Sequence, residues 1–447
     1  MARQTAAAGP GGARSLISRS PALRETSWRE AAELLVAPPP AAAALPWRTV
    51  PLEELIAHLG ELHAAAAPLS AFAGPARALL ERGEASANQP HHPSHHPSHH
   101  PSEVLRRAAD GLRAALVGET VSFVVNRNLN TSNHCRLHCG FCAFRRDPGQ
   151  EGAYRLPLEE LQRRAAEAHQ LGATELCLQA ALDPEARLDG STVAFAERLL
   201  GALADAAPGL HLHAFSPQEL LWFAESDGVS LDRVLERLRV AGLGSVPGTA
   251  AEVLSERVRR VLCPEKLSAR AWVAVIRQVH SQGLASTSTL MAGHLEGPAD
   301  RAAHLLTLLA LQRRAQAEGL AGFSEFVLLP FVGAAAPAPL RSRVGRDQPD
   351  AAAMLCLTAH ARLLLGSAIR HHQSSWVKLT LPVAAEALRW GCDDLGGTLM
   401  EEHITTMAGA QGGTAQTPGA LMAAARSQGR PVRQRTTLYG QPERNAA

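Results

Sequence analysis

The sequence lacks the features that mark nucleic-acid-binding, membrane-spanning and disulfide-stabilised proteins. Aromatic residues make up only 4% of the chain, and the net charge is +2 without a strongly basic domain. A surface that binds nucleic acid is therefore not expected. No apolar run reaches the length that crosses a membrane. Seven cysteines, an odd number in 447 residues, argue against a disulfide framework.

Three of these cysteines stand close together in the spacing CxxxCxxC, at Cys135, Cys139 and Cys142. Three thiolates are one fewer than a closed metal site needs. A four-iron cluster held by three thiolates keeps one iron open, and this is the arrangement of radical S-adenosylmethionine (SAM) enzymes, in which SAM fills the vacancy. We therefore predict a 4Fe-4S cluster at these residues, with SAM bound to it. Because such a cluster is labile to oxygen, we also predict a reducing, cytoplasmic location.

A structural zinc site is the alternative for these cysteines. Zinc takes four ligands, typically from two CxxC-like pairs; a second pair is missing here, so His134 or His138 would have to complete the set. The other cysteines occur singly in apolar or mixed segments, which is typical of small core residues. They are Cys177, Cys263, Cys356 and Cys392. Ligand count and spacing therefore favour the cluster.

Composition divides the chain into four parts. Residues 1–50 are rich in alanine and proline and are predicted to form a disordered tail, although the scarcity of acidic residues near the start is also typical of a transit peptide. A helical segment over 51–118 is interrupted by His-Pro-Ser repeats at 90–102, which we interpret as a linker because proline at every fourth position prevents a regular helix. Residues 119–440 form the main domain, and 441–447 a second tail.

In the main domain, short β-like runs alternate with longer amphipathic helices. Strands are predicted near 120–126, 174–179, 210–215, 241–246, 285–290, 325–331, 374–379 and 394–399. Helices are predicted at 157–170, 191–206, 228–240, 250–261, 267–282, 298–316 and 348–366. Eight strand–helix alternations favour an α/β fold of the parallel β/α (TIM-like) barrel type; a doubly wound open sheet is the alternative. The cysteines directly follow the first strand, so we expect the cluster at the carboxyl ends of the strands, where barrels carry their chemistry.

Polar residues stand at several predicted strand ends, where a plain connection would need only two or three turn residues. A ligand is one explanation; closing the barrel mouth, a satisfied core histidine or contact with solvent are the others. The candidates are Asn126, Arg127, Asn128, His213, Lys378 and Asp394. A glycine-rich turn at 242–252 can hold an anion on its N–H groups, or simply cap the following helix with Thr249 and Glu252.

From about residue 121 to 440 the sequence resembles the CofH-type subunit of FO synthase, a radical SAM enzyme of deazaflavin coenzyme biosynthesis. The segments that carry the resemblance are 124–128, 212–217, 247–252, 263–266, 287–291, 325–332, 375–379, 394–400 and 434–440. Only one CxxxCxxC motif occurs. The chain therefore resembles the separate transferase, and not the two-domain fusion that also carries the cyclase.

The resemblance implies a radical SAM β/α barrel with a small leading helical segment, and a transferase reaction. In such enzymes a reduced 4Fe-4S cluster cleaves SAM to methionine and a 5'-deoxyadenosyl radical. L-Tyrosine then loses its 4-hydroxybenzyl group, which is joined to 5-amino-6-(D-ribitylamino)uracil. The resemblance further implies a low-potential electron donor and a CofG-type cyclase subunit as partners.

Residue by residue, the resemblance assigns the cluster to the three cysteines and puts Phe141 beside SAM. It also implies that Ala180, Ser216 and Glu252 belong to the SAM-binding shell. The residues expected to face tyrosine or the aminouracil are Asn126, Arg127, Asn128, His213, Lys378 and Asp394.

Three segments depart from the family: no glutamate precedes Ala336-Pro337, no aromatic residue stands between the asparagines of 128–133, and Ala180-Ala181 stands where the family has a glycine pair. If either position needs a positive φ, the methyl group costs on the order of 1–2 kcal/mol. A catalytically impaired scaffold for the cyclase is therefore one alternative function. A menaquinone-pathway-like radical SAM enzyme is another.

Overall fold

The computed structural model describes residues 19–87 and 101–442. Most of the His-Pro-Ser repeats and the outermost parts of both predicted tails lie outside the described residues. The helices of the described part are α1 Glu25–Leu34, α2 Ala41–Ala44, α3 Leu52–Ala64, α4 Leu69–Ala87, α5 Pro101–Val117, α6 Leu158–Gln170, α7 Thr192–Ala206, α8 Pro217–Asp227, α9 Leu231–Val240, α10 Glu256–Leu262, α11 Ala269–Ser281, α12 Pro298–Ala317, α13 Ala338–Val344, α14 Ala351–Leu365, α15 Trp376–Leu379, α16 Leu381–Ala387, α17 Ile404–Met407 and α18 Pro418–Ser427. None of them combines the length and apolar character of a membrane span.

The strands of the described part are β1 Val121–Val124, β2 Asn126–Leu129, β3 Glu175–Leu178, β4 His211–Ala214, β5 Leu243–Val246, β6 Ala285–Ala292, β7 Phe323–Pro330, β8 His372–Ser374, β9 Asp394–Gly397 and β10 Val432–Arg435. They form one parallel sheet in the order β10-β1-β9-β8-β7-β6-β5-β4-β3-β2. Most strands are buried on both faces, as expected for parallel strands covered by helices.

The sheet curls because the consecutive strands β1 and β2 lie near opposite ends of the strand order. β1 and β2 are consecutive, with only Val125 between them. β1 pairs with β9 and β2 pairs with β3, so this segment joins the two ends of the curl. The sequential order from β3 to β9 has no switch point, in contrast to a doubly wound sheet. The predicted parallel β/α barrel is thus confirmed, with ten strands in place of eight.

One predicted strand is wrong. The run 374–379 was assigned to a strand, but β8 ends at Ser374 and α15 follows as a single helical turn. The apolar residues of this run alternate as they would in a strand. In the structure, however, the helical turn buries the consecutive residues Trp376 and Val377. The indole N–H of Trp376 donates to the carbonyl of Gly397 at 2.9 Å, which fixes this turn against β9.

The N-terminal part also differs from expectation. The disordered tail predicted for 1–50 does not hold where the structure describes it, because α1 lies there and packs on α11. Trp28 is buried, and the guanidinium of Arg270 lies 4.2 Å from the centroid of its ring. Arg24 Nη2 lies 2.5 Å from Asp232 Oδ1. An amphipathic helix that finds an apolar neighbour gains enough burial to order an alanine-rich segment.

Candidate active site

A cavity of about 380 Å³ lies inside the curled sheet. Its wall consists of alternate residues of the strands, which share one face because side chains alternate along a strand. β2, for example, contributes Asn126 and Asn128, and β7 contributes Glu325, Val327 and Leu329. The loops that follow the carboxyl ends of the strands complete the wall at its upper end, as expected for this fold.

The three cysteines of the CxxxCxxC motif all line this cavity, on the loop that follows β2. All three are free thiols and partly exposed. Backbone hydrogen bonds hold their loop, among them one of 3.0 Å from Gly140 N to the carbonyl of Leu262. The structure therefore brings Cys135, Cys139 and Cys142 to one face of the cavity, at the end of the barrel where the sequence predicted them.

The donor set fits an iron–sulfur cluster better than zinc. No three His, Cys, Asp or Glu side chains of the described residues are placed to hold a single metal ion. His138, a candidate fourth ligand, has both ring nitrogens engaged, Nδ1 with Glu265 Oε2 at 3.2 Å and Nε2 with Arg145 Nη2 at 2.7 Å. Three thiols that face a cavity without a fourth ligand match a cluster that keeps one iron open, whereas zinc needs a closed tetrahedral set.

A buried ion pair lies beside the cysteines. Lys266 Nζ is 2.6 Å from Glu252 Oε1 and 5.4 Å from the centroid of the Phe141 ring. Burial lowers the pKa of Lys266, but Glu252 and the thiol of Cys139 outweigh it and hold the pKa above its ordinary value. Burial raises the pKa of the Cys139 thiol, and Lys266 opposes that rise. A fixed ammonium group thus favours negative charge at the cysteine loop.

The turn before Glu252 is shaped by a close backbone approach. Gly248 donates its N–H to Thr287 Oγ1 at 2.8 Å, and a Cβ at this position would lie 1.9 Å from the carbonyl oxygen of Thr287. Ala250 and Glu252 have positive φ, 61° and 46°, which is uncommon outside glycine. The predicted helix cap is wrong: α10 begins only at Glu256, and Glu252 turns its carboxylate towards Lys266 instead.

Ser216 and Ala180 meet at Glu219, a residue that the sequence analysis did not single out. Ser216 caps α8 in a capping box, and its N–H and hydroxyl both donate to Glu219 Oε2 at 2.7 Å. Burial raises the pKa of Glu219 to about 7, although hydrogen bonds from Ser216 and the backbone of Ala180 oppose the rise. Neither Ala180 nor Ala181 has a positive φ, so the strain considered for this pair is absent.

Asn126, Asn128, His213 and Lys378 also line the cavity, as predicted for substrate-facing residues. Asn126 Nδ2 donates to Glu175 Oε1 at 2.7 Å. His213 Nδ1 lies 2.7 Å from the hydroxyl of Ser245. Burial lowers the pKa of His213 to about 4, so its ring is neutral at physiological pH.

Arg127 and Asp394 do not line the cavity, contrary to the prediction. Strand alternation turns Arg127 to the outer face, where Nη1 lies 2.7 Å from Glu167 Oε2 and Nε lies 3.0 Å from Glu401 Oε1. Asp394 is buried behind the wall, and its Oδ2 lies 2.5 Å from Nε of Arg435. Both residues are held by partners within the protein.

The chain has only two lysines among its 44 basic residues, Lys266 and Lys378, and both line the cavity. Lys378 lies on α15 and, in contrast to Lys266, forms no ion pair with any described residue. Burial lowers its pKa, and the more distant carboxylates of Glu402 and Glu252 oppose this. The scarcity of lysine in the sequence was a signal that would have pointed to both residues.

The closed end of the cavity contains acids that sequence reasoning missed. Glu175 and Glu325 lie on its wall near the amino ends of β3 and β7, together with Arg435 of β10. Tyr439 follows β10 and donates its hydroxyl proton to Glu325 in a short hydrogen bond. Segments 325–332 and 434–440 both carry the family resemblance, but nothing in the sequence indicates that they meet.

Comparison with known proteins agrees with this site. Residues 129–308 match the Radical SAM superfamily. The chain is 54% identical over 338 residues to the 5-amino-6-(D-ribitylamino)uracil–L-tyrosine 4-hydroxyphenyl transferase of Synechocystis sp., covering 75% of this chain and 86% of that protein. It is 55% identical over 336 residues to the protein of the same name from Synechococcus elongatus, covering 75% and 87%.

Among solved structures, the fold is similar to that of methylornithine synthase (PylB), with a TM-score of 0.57 and 15% identity over 80% of this chain and 93% of that one. It is also similar to the FeFe-hydrogenase maturase HydG from Carboxydothermus hydrogenoformans, with a TM-score of 0.59 and 14% identity over 88% and 87%. These likenesses concern the fold. The sequence relationship, together with the cysteine loop on the cavity, identifies the chain as a member of the radical SAM family of 5-amino-6-(D-ribitylamino)uracil–L-tyrosine 4-hydroxyphenyl transferases.

Proposed function

We propose that this protein joins the 4-hydroxybenzyl group of L-tyrosine to 5-amino-6-(D-ribitylamino)uracil, a step towards the deazaflavin FO. The observation that carries the proposal is the match to transferases of this name, which covers 75% of this chain and 86% and 87% of those proteins. The cysteine motif on the wall of a polar cavity supports it. When bound, the cluster and SAM would supply the radical that abstracts hydrogen from tyrosine.

The residues around the cysteine loop fit the binding of both groups. Cys135, Cys139 and Cys142 would hold the cluster. Glu252 and Lys266 give the adjoining wall one fixed carboxylate and one fixed ammonium, which complement the amino and carboxylate groups of SAM. Phe141, Ala180 and Ser216 line the same end of the cavity and would exclude water from bound SAM.

Lys378 is suited to hold the carboxylate of tyrosine. A half-buried ammonium without an ion-pair partner is costly, and an anionic ligand reduces that cost. Lys266 is paired with Glu252, whereas Lys378 forms no ion pair with a described residue. The ammonium group of Lys378 is therefore the one that remains for a substrate carboxylate. Asn126, Asn128 and His213 complete the polar wall.

Two partners belong to the proposal. The partner proposed for ring closure to the deazaflavin is a CofG-type cyclase, because the 447 residues contain a single CxxxCxxC motif. A low-potential electron donor has to reduce the cluster.

Product analysis tests the proposal directly. The protein is reconstituted with iron and sulfide without oxygen, then incubated with SAM, reductant, tyrosine and the aminouracil. We expect the coupled adduct by mass spectrometry, and its loss when either substrate is left out. Deoxyadenosine without adduct would contradict the proposal, and consumption of a futalosine-type substrate would favour the menaquinone-pathway alternative.

The Cys139→Ala variant tests the cluster separately. We expect it to lose the visible and EPR signals of a four-iron cluster, while Cys177→Ala, which alters a buried cysteine outside the motif, retains them. An unchanged spectrum in Cys139→Ala would contradict the ligand assignment. The impaired-scaffold alternative rests on a positive φ at Ala180 or Ala181, and neither residue has one.

A further inference from the structure

The closed end of the cavity has a carboxylate with one oxygen bound and one oxygen free. Glu325 Oε2 accepts hydrogen bonds from Arg435 Nη2 at 3.1 Å and from the hydroxyl of Tyr439. Oε1 accepts none from the described residues, and it is not among the atoms sealed within the protein. Glu325 is only 7% exposed and lines the cavity, so Oε1 is accessible from the cavity side.

Arg435 fixes Glu325 but is itself unavailable to a ligand. Its Nε and Nη2 bind Asp394, Nη2 also binds Glu325, and Nη1 binds the carbonyl oxygens of Thr436 and Thr437. All five of its N–H groups are thus used within the protein. Arg435 is a positioning residue, and Glu325 is the group that faces the ligand.

Tyr439 is held just as firmly. Its ring stacks on His371 with centroids 3.6 Å apart and planes inclined by 8°. The guanidinium carbon of Arg435 lies 4.1 Å from the same ring centroid. The hydroxyl therefore points at Glu325 from a fixed ring, which leaves the Glu325 carboxylate a single orientation.

Two further polar side chains line the cavity with Glu325. His213, 6% exposed, uses Nδ1 on Ser245, and its Nε2 has no partner in the described residues. Glu175 Oε1 accepts a hydrogen bond from Asn126 Nδ2. Burial raises the pKa of Glu325 to about 7, and Arg435 opposes the rise. Because carboxylate oxygens accept hydrogen bonds, a ligand rich in N–H and O–H donors would suit this part of the cavity.

Of the two proposed substrates, the aminouracil has that chemistry. Its ring, its amino groups and its ribityl chain offer several N–H and O–H donors, whereas tyrosine offers an ammonium group next to a carboxylate and a single phenolic O–H. Glu325 directly precedes Phe326, which pairs with His372 at the start of β8, whereas Lys378 follows the carboxyl end of β8. The two groups therefore lie at different levels of the barrel.

We infer that Glu325, oriented by Arg435 and Tyr439, binds the N–H edge of the aminouracil at the closed end of the cavity and selects this substrate. The inference rests on the proposed function and adds the residue that recognises the aminouracil. It leaves the open end of the cavity, beside Lys378 and the cysteines, to tyrosine and SAM.

Calorimetric titration of the full chain, reconstituted with cluster and SAM but without reductant, tests the inference. We expect Glu325→Gln to weaken aminouracil binding on the order of 10- to 100-fold, the effect of losing one hydrogen bond to a charged group, and to leave tyrosine binding unchanged. Glu318→Gln, which alters a surface acid paired with Arg277, should bind both substrates like the unmodified protein.

Tyr439→Phe removes only the hydroxyl and should weaken aminouracil binding several-fold, again without an effect on tyrosine. If Glu325→Gln does not fold, the Tyr439→Phe variant tests the inference in its place. Equal aminouracil affinity in the variants, or equal loss for both substrates, would overturn the inference. If the unmodified protein binds tyrosine but no aminouracil, the proposed function itself fails, and this outcome is distinct from the other two.

Discussion

Arg435 and Asp394 form a bidentate ion pair inside the barrel, out of reach of solvent. Nε lies 2.5 Å from Oδ2 and Nη2 lies 3.0 Å from Oδ1, with the two side chains 2% and 0% exposed. The pair links β10 to β9 across β1, whose Ser122 also donates to Asp394 at 2.5 Å. One guanidinium thus ties together three strands and orients the carboxylate of Glu325.

Arg435→Met should therefore destabilise the protein strongly. It leaves Asp394 and Glu325 buried without their cation, and breaking one side of a buried pair costs about 3–5 kcal/mol. Chemical denaturation measures the loss. Arg163→Met, which alters an arginine that is 61% exposed and paired with Glu160, should leave the stability nearly unchanged. Equal stability of the two variants would contradict a structural role for the Arg435 pair.

Lys378→Met should impair the use of tyrosine more than that of the aminouracil. Removing the ammonium leaves a substrate carboxylate without its cation, so we expect tyrosine affinity to fall about 10- to 100-fold. Lys378→Arg keeps the charge and should recover part of the affinity. Titration with each substrate in turn makes the measurement, and an equal loss for both would argue against a specific carboxylate contact.

Glu219 should make stability depend on pH. Its pKa in the folded protein, about 7, lies above the ordinary 4.5. Such a group contributes its stability fully below the unfolded pKa and loses it as the pH rises through the folded pKa. Glu219→Gln should thus match the unmodified protein below about pH 4 and exceed its stability by on the order of 3 kcal/mol above about pH 8.

Denaturation of cluster-free protein across that pH range makes the Glu219 measurement. Glu236→Gln, which alters an exposed acid on α9, serves as the control and should not change the pH dependence. A difference between Glu219→Gln and the unmodified protein that stays constant with pH would contradict the prediction.

Two glycine substitutions should act in opposite directions. Gly248→Ala places a methyl group 1.9 Å from the carbonyl oxygen of Thr287, so the turn and β6 have to separate, and we expect a loss of about 3 kcal/mol or more. Gly201 lies inside α7 with no atom within 4 Å of an added Cβ, so Gly201→Ala should stabilise by about 1 kcal/mol. Thermal unfolding compares them, and similar shifts in both would contradict the packing argument.

The sequence was sufficient for the barrel because periodicity there reflects burial directly. β3 and β4 fall within the predicted runs, since short apolar strands between amphipathic helices leave few alternatives. α15 was mistaken for a strand because four residues cannot distinguish the two periods. α1 was missed because its order comes from packing on α11, a tertiary contact that composition does not reveal.

The sequence could predict the candidate site only where its residues stand close together in the chain. The cysteine spacing marks its own loop, whereas Arg127 and Asp394 look like ligands in sequence and prove to be engaged by Glu401 and Arg435. The contact between Glu325 and Arg435 joins residues 110 positions apart. Partners at that separation follow from the closure of the barrel, which no local window contains.

The position of β1 has a consequence for how the chain matures. β1 is the first strand to be synthesised, yet its neighbours on both sides, β9 and β10, come from the other end of the barrel domain. During translation it has to wait, with its backbone groups unpaired, until nearly all of the domain has emerged. The carboxylates of Asp394 and Glu325 likewise precede the cation that neutralises them. Docking of β10 is therefore the event that completes the fold, and a nascent chain that stalls before it would be a natural target for chaperones.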